Sequence, residues 1–324
     1  MDSNKPILVT GASGYIGGHL ISLLLARGQR VRCLARNPER LRSRAWFFQV
    51  EIINADVLIR ENLDRALQGI STAYYMIHSM ASGMRYYERD ISAAHNFAAA
   101  ASASGVEHII YLGGLADPVA DIGRHLRSRL QTGDALRQGI VPVTEFRASP
   151  IIGPGSTAFE MIRYLTERLP ILVGPRWLYN RVQPVAIQNV LEYLLAAMER
   201  PTCRGQIYEI GGQDVISYAE MILTYARLRS LERRLLVLPG LPIWLMAFLV
   251  DKLTPIPAII ARPLIEGLRG DSVVRDRAAR RVFPDIQPIG YPLAISTALK
   301  ESPSALVRSS KRDEINQPVR RRKI

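Results

Sequence analysis

The chain has 324 residues, 48% of them hydrophobic and 22% charged, a globular composition that excludes wholesale disorder and collagen-like or repeat-rich architectures. Two cysteines, Cys33 and Cys203, are too few for a disulfide scaffold, and five histidines without HxH or HxxxH spacing predict no metal site. The net charge of +13, with arginine as 37 of the 42 basic residues, favours anionic partners, and no zinc-finger, RNP-like or zipper pattern points to nucleic acid.

Ile7-Leu-Val-Thr10 is a short apolar run and predicts a buried strand. The chain runs into it from a polar start, without a secretory pattern, so a cytoplasmic setting with reduced thiols is expected. Tyr15 to Arg27 carries Ile16, Leu20, Leu23 and Leu24 at helical spacing, with Gly28 as a stop. Arg30 to Ala35 and Val50 to Ile53 predict the second and third strands. Asn62 to Gln68 predicts a short helix and Thr72 to Ile77 a fourth strand. An Ala-rich helix, Arg89 to Ser104, precedes a fifth strand at Ile109 to Leu112 and a sixth at Val143 to Arg147. This alternation argues for an α/β fold with a parallel sheet covered on both faces.

Beyond Arg147 the pattern changes. A turn at Ile152-Gly-Pro-Gly155 leads to a helix, a Pro-punctuated stretch from Pro170 to Pro184, a helix at Asn189 to Arg200 and a strand at Ile207 to Ile210. The division expected is a dinucleotide-binding domain over 1–150, a smaller substrate lobe over 151–300 interleaved with it, and a basic, disordered tail over 301–324.

The strongest chemical signal is Thr10-Gly-Ala-Ser-Gly-Tyr-Ile-Gly17, between the first strand and the first helix. Gly11 suits a tight turn, Gly14 lets backbone approach a pyrophosphate, and Gly17 lets helix pack on strand. Thr10, Gly11, Ser13, Gly14, Tyr15, Ile16 and Gly17 are therefore the candidate phosphate contacts. The end of the second strand, Cys33-Leu-Ala-Arg36, lacks the acid that would hold the ribose 2′-OH of NAD. Arg36 is placed for a 2′-phosphate, so NADP(H) is expected over NAD; Arg32, Arg40, Arg42 and Arg44 add positive potential or form a solvated basic face. Asp56 and Val57 end the third strand where an adenine would lie, and Asp56 is alternatively a helix cap. His78 and Ser79 follow the fourth strand, near the expected nicotinamide ribose.

These motifs resemble the short-chain dehydrogenase/reductase superfamily in its extended and atypical branches, including nitrogen-metabolite-repressor-like members. Phe146-Arg-Ala-Ser-Pro-Ile-Ile-Gly-Pro-Gly155, Pro184-Val-Ala-Ile-Gln-Asn-Val190 and Tyr208-Glu-Ile-Gly-Gly-Gln213 are similar to later segments of extended members, so the resemblance spans about residues 5–230. It implies a doubly wound Rossmann domain with a smaller C-terminal substrate lobe. Active members use a Ser or Thr after the fifth strand and a Tyr-x-x-x-Lys pair; here the strand ends in Tyr111-Leu-Gly-Gly-Leu115. His125-Leu-Arg-Ser-Arg129 has the right spacing for a substitute, with His125 as proton donor and Arg129 in the lysine's place. The plainer alternative makes both exposed helix residues. Ser128, Tyr86, Tyr87 and Asn96 are lesser candidates, the tyrosines in a loop.

Leu235 to Val250 is the longest stretch without Asp, Glu, Lys, Arg or His, at 16 residues, interrupted by Pro239, Gly240 and Pro242, and too short to span a membrane. The segment 235–268, flanked by Arg233, Arg234, Lys252, Arg262 and Arg269, reads first as core or as a lid over an apolar substrate pocket. Peripheral contact with an anionic membrane is the alternative. The leading expectation is an NADPH-dependent reductase of an apolar carbonyl or enone-like small molecule. A non-catalytic redox sensor or membrane-complex assembly factor is the alternative, and sugar epimerisation comes third.

Overall fold

The computed structural model describes residues 5–78, 86–116 and 122–301, with the side chain of Tyr86 outside that set. Ser79 and residues 302–324 of the expected tail also lie outside the described residues.

The alternation in the sequence becomes β1 (Ile7–Thr10), α1 (Tyr15–Ala26), β2 (Val31–Ala35), β3 (Glu51–Asn54), α2 (Arg60–Leu67), β4 (Thr72–Tyr75), α3 (Tyr86–Ala103), β5 (His108–Gly114), α4 (Arg124–Arg137) and β6 (Val143–Ala148). Next come β7 (Ile151–Ile152), α5 (Thr157–Arg168), β8 (Ile171–Gly174), β9 (Arg181–Val182), β10 (Val185–Ala186), α6 (Ile187–Glu199) and β11 (Ile207–Ile210). The chain closes with β12 (Ile216–Ser217), α7 (Tyr218–Leu228), β13 (Arg234–Val237), α8 (Ile243–Leu253), α9 (Ala258–Gly267), α10 (Ala278–Val282) and α11 (Tyr291–Glu301).

The central sheet has seven strands in the order β11-β6-β5-β4-β1-β2-β3, all parallel, which is the expected doubly wound Rossmann sheet. Alternate residues feed two cores. Val9, Tyr74, Ile110 and Phe146 face α1 and α6; Leu8, Ala73, Tyr75, Ile109 and Tyr111 face α2, α3 and α4. Each such large apolar side chain contributes roughly 1.5–3 kcal/mol by burial. Edge strand β11 comes from late in the chain, so the polypeptide leaves the sheet at β6 and returns to it.

Two boundaries differ from the sequence reading. β5 runs through Gly113 and Gly114, which pair with Arg147 and Ala148 of β6; glycine is a poor strand former, but parallel neighbours hold it in the ladder. Tyr86 and Tyr87, expected in a loop, open α3.

The remaining elements form a second apolar unit. Phe159, Tyr225, Tyr291 and Ile295 build one cluster, and Ala247, Val250, Ile256, Ala261 and Ile265 another. Ser272 ties this unit to the sheet: its hydroxyl donates to Leu115 O at 2.9 Å, and the Ser149 hydroxyl donates to Ser272 O at 2.9 Å. Among the described residues no helix is long and apolar enough to cross a membrane.

Candidate functional site at the carboxyl edge of the sheet

The phosphate loop sits where strand order reverses, between β1 and β4. Gly11 has φ +67°, and a Cβ there would lie 2.5 Å from Met76 O. A Cβ on Gly17 would lie 2.4 Å from Gly11 O, so α1 can approach the loop only without one. Gly14 is the N-cap of α1 and supplies no side-chain cap, which leaves the first-turn N–H groups open. Ser13 and Gly14 are exposed and Ile16 is half-buried. This cradle fits the pyrophosphate of a dinucleotide.

Two loop residues act differently from the sequence expectation. The Thr10 hydroxyl is buried; it donates to Tyr74 O at 3.1 Å and accepts from Met76 N at 3.0 Å, so it clamps β1 to the end of β4. The Tyr15 hydroxyl is buried beneath Gly153, where a Cβ would lie 2.3 Å from it, and burial raises its pKa. Neither hydroxyl is available to a ligand.

The basic group at β2 is sorted by its partners. Arg32 is held by Glu51 at 2.7 Å and by the carbonyls of Ala66 and Gln68, and Arg42 pairs with Glu39 at 2.6 Å. Arg36 is exposed at the end of β2 and forms no ion pair among the described residues. Arg44, which the sequence could not separate from a solvated basic face, crosses the phosphate loop: its Nη2 donates to Ser13 O at 3.1 Å. Its charge also helps lower the pKa of His19, after burial. No local pattern marks Arg44, because the contact joins residues 31 apart in the chain. Asp56 accepts from Leu58 N at 3.0 Å, a local turn; α2 starts later, at Arg60, so Asp56 is not its cap. Val57 is buried in the core beside it. Asn96 donates to the carbonyls of Val57 and Leu58 at 3.3 and 3.0 Å, and so holds that turn.

At the other side of the switch point, His78, His125 and Arg129 converge. Arg129 is buried; it donates to Ile77 O at 3.0 Å and to Leu112 O, and its guanidinium lies 4.9 Å from the Tyr111 ring centre. It thereby joins the carboxyl ends of β4 and β5. Tyr111 donates to Arg129 O at 2.7 Å beneath it. Burial, then the charge of Arg129, then His78, push His125 down to about 3. Close surroundings, then Arg129, push His78 down to about 4, although the residue as a whole is exposed; both causes share one direction. Both imidazoles are thus neutral near pH 7. The group that His125 offers near pH 7 is therefore a neutral N–H.

The lesser candidates are occupied. Ser128 donates to buried Asp90 at 3.2 Å, and Tyr87 donates to Gln131. The glycines at the end of β5 have a packing reason: a Cβ on Gly114 would lie 2.9 Å from Leu126 Cδ2 of α4. Asn189 donates to Gln287 O and accepts from Ile289 N, at 2.9 and 2.8 Å, a buried stitch remote in role from the cleft. Among the described residues no group of three or more His, Cys, Asp or Glu could hold a metal ion.

Residues 3–123 match the NmrA-like family. A (4-alkanoyl-5-oxo-2,5-dihydrofuran-3-yl)methyl phosphate reductase of Streptomyces griseus subsp. griseus is 29% identical over 229 residues, 68% of this chain and 73% of that protein. A ceramide reductase of Caulobacter vibrioides is 25% identical over 265 residues, 80% of this chain and 82% of that protein. The structure of the Citrobacter sp. triphenylmethane reductase complexed with NADP(H) shares the fold, with a TM-score of 0.71 at 21% identity, over 91% of this chain and 100% of the other.

Proposed function

We propose, from the premise that this chain is a member of the extended, atypical branch of the short-chain dehydrogenase/reductase superfamily, that it is an NADP(H)-dependent reductase of an apolar carbonyl or enone-like substrate. One observation carries the reading: the uncapped phosphate cradle and the neutral His125, braced by Arg129, share the carboxyl edge of one sheet. The reductases among its relatives support it.

The first-turn N–H groups of α1 would hold the pyrophosphate, Arg36 the 2′-phosphate, and Asp56 and Val57 would flank the adenine. When bound, the reduced nicotinamide supplies a hydride. Arg129 fixes the ends of β4 and β5 and keeps His125 neutral. His125 donates its N–H to the carbonyl oxygen and stabilises the negative charge that develops there. Solvent supplies the proton that the alkoxide takes up, and the imidazole stays neutral throughout.

The test is NADPH oxidation with a panel of apolar ketones and enones, for wild type and His125→Ala. Loss of the donor should lower turnover by roughly a hundredfold or more. Tight NADPH binding without turnover on any substrate would instead favour the sensor or assembly reading.

The small lobe supports a peripheral role beside catalysis. On α8, Trp244, Phe248 and Leu249 are 65%, 49% and 43% exposed, and Lys252 lies over the Phe248 ring at 5.6 Å. An aromatic face edged by a cation suits the headgroup region of an anionic membrane.

A further inference from the structure

Helices α8 and α9 form a hairpin over residues 243–267 that is lightly tied to the rest of the fold. Leu238-Pro-Gly-Leu-Pro242 leads into it, with Gly240 at φ +77°, and Gly267-Leu-Arg-Gly270 leads out. A Cβ on Gly240 or Gly270 would meet no atom within 4 Å, so both turns stand clear of their surroundings. Among the described residues a single hydrogen bond joins the hairpin between these turns to another element: Arg168 donates to Leu253 O at 2.6 Å. Otherwise it is held by the small apolar cluster of Ala247, Val250, Ile256, Ala261 and Ile265. Few ties of this kind mark a unit that opens at low cost.

The end of α9 reaches the helix that carries the proposed donor. A Cβ on Gly123 would lie 3.0 Å from Glu266 Cβ, and one on Gly267 would lie 3.6 Å from Leu126 Cδ1. Leu126 follows His125 in the chain and stands three residues before Arg129, on the same side of α4. It also meets the end of β5: a Cβ on Gly114 would lie 2.9 Å from Leu126 Cδ2 and 3.7 Å from Arg129 Cγ. The first turn of α4 is thus packed between the hairpin and β5. Beyond these contacts the seam is loose. A cavity of about 310 Å³ opens there, where Arg124, Arg127 and Arg269 share the wall with one carboxylate, Glu266. The repulsion among three like charges favours parting of the two helix ends.

The outer face of the hairpin is apolar and cationic. Trp244, Phe248 and Leu249 of α8 are joined by Ile259 of α9, which is 47% exposed. The two acids of the hairpin are both used inside it: Asp251 accepts from Ala258 N at 2.9 Å, and Glu266 from Arg262 at 3.1 Å. Lys252 and Arg269 are exposed and form no ion pair among the described residues. An anionic bilayer supplies both complements, negative headgroups over apolar tails.

We propose that docking of this face on an anionic bilayer lifts the α8–α9 hairpin off the first turn of α4 and so uncovers the His125 side of the cleft at the membrane surface. The proposal rests on the peripheral reading of α8 and adds its coupling to the site. A surface shifts such an equilibrium only by meeting the lifted state better. Lifting adds the side of α9 that faces Leu126 to the area lipid can reach, and it separates Arg269 from Arg124 and Arg127.

The experiment follows hydrogen exchange in residues 127–131 of the full chain, where Arg127 N donates to Gly123 O at 3.1 Å. Samples contain no vesicles, phosphatidylcholine vesicles, or vesicles of phosphatidylserine with phosphatidylcholine; sedimentation of each sample reads binding. Anionic vesicles should speed this exchange by roughly tenfold or more, and phosphatidylcholine alone should not. In a Gly123→Cys/Glu266→Cys variant the two Cβ positions are 3.0 Å apart, near the ~3.8 Å of a disulfide. Oxidised, it should still sediment with anionic vesicles yet keep slow exchange, and reductant should restore the response. Binding without faster exchange in wild type would overturn the coupling and leave the peripheral reading. An equal response in oxidised and reduced variant would overturn it too. No sedimentation with anionic vesicles removes both readings. If the cross-link does not form, the wild-type samples decide alone.

Discussion

The Arg44 guanidinium donates to the backbone carbonyl of Ser13 at 3.1 Å, and so carries a charge from beyond β2 onto the phosphate loop. Arg36, exposed at the end of β2, forms no ion pair among the described residues. The two should therefore have separable effects on cofactor binding. If Arg36 holds the 2′-phosphate as proposed, Arg36→Gln should weaken NADPH by roughly tenfold to a hundredfold and leave NADH unchanged. Arg44→Gln should weaken both cofactors, since it supports the loop they share. Calorimetric titration of each cofactor decides; unchanged NADPH affinity in Arg36→Gln would remove that assignment.

With His125 held near 3, its protonation state does not change between pH 5 and 8. The rate of NADPH oxidation should then show no limb from this residue in that range. A limb near 6.5 that disappears in His125→Gln would mean that the charged imidazole acts, against the neutral-donor mechanism.

Gly133, inside α4, should not tolerate alanine. An alanine in a helix is normally worth about 1 kcal/mol over glycine. Here the added Cβ would lie 2.4 Å from Glu145 Oε2. Glu145 is fully buried and pinned by Arg137 and by Arg147, the latter at 2.8 Å, so it cannot yield. Gly133→Ala should destabilise the fold by ~2–4 kcal/mol in urea denaturation. A neutral or stabilising effect would show that the buried triad is loose.

His108 sets a pH dependence of stability. Its Nε2 lies 2.8 Å from the Thr144 hydroxyl, which itself donates to Cys203 O at 2.8 Å. The hydroxyl therefore accepts from His108 Nε2–H, and Nδ1 faces no partner among the described residues. Burial, then the charge of Arg204, lower the pKa to about 4. The unfolded chain takes up this proton from about pH 6.5 downward, and the folded chain only near 4. Stability should thus be lost as pH falls through that window, by at most about 1.4 kcal/mol per pH unit from this group. His108→Gln should flatten the slope between pH 6.5 and 4.5; an unchanged slope would assign the loss to other groups.

The exposed face of α8 predicts salt-sensitive sedimentation with anionic vesicles. Binding should be visible at low ionic strength and fall at about 0.5 M salt, where charges are screened within a few ångström. Trp244→Ser with Phe248→Ser should abolish it. Protein that stays in the supernatant at low salt would leave α8 as an ordinary surface of the lobe.

The sequence by itself determined the parallel sheet, the phosphate cradle and the missing acid at β2. Each is a local pattern: apolar runs alternating with helical periods, glycines where a Cβ cannot fit, and one residue type at a strand end. It also placed His125 and Arg129 four residues apart, and the helical turn brought them to one face. Tertiary structure decided what those residues can do. Burial and the facing charge of Arg129, joined to the ends of β4 and β5, keep the His125 imidazole neutral. Arg44 reached the loop across 31 residues, and Arg124, Arg127 and Arg269 met around one cavity from two helices. Such relationships depend on distance in space and on dielectric surroundings, which spacing along the chain does not encode.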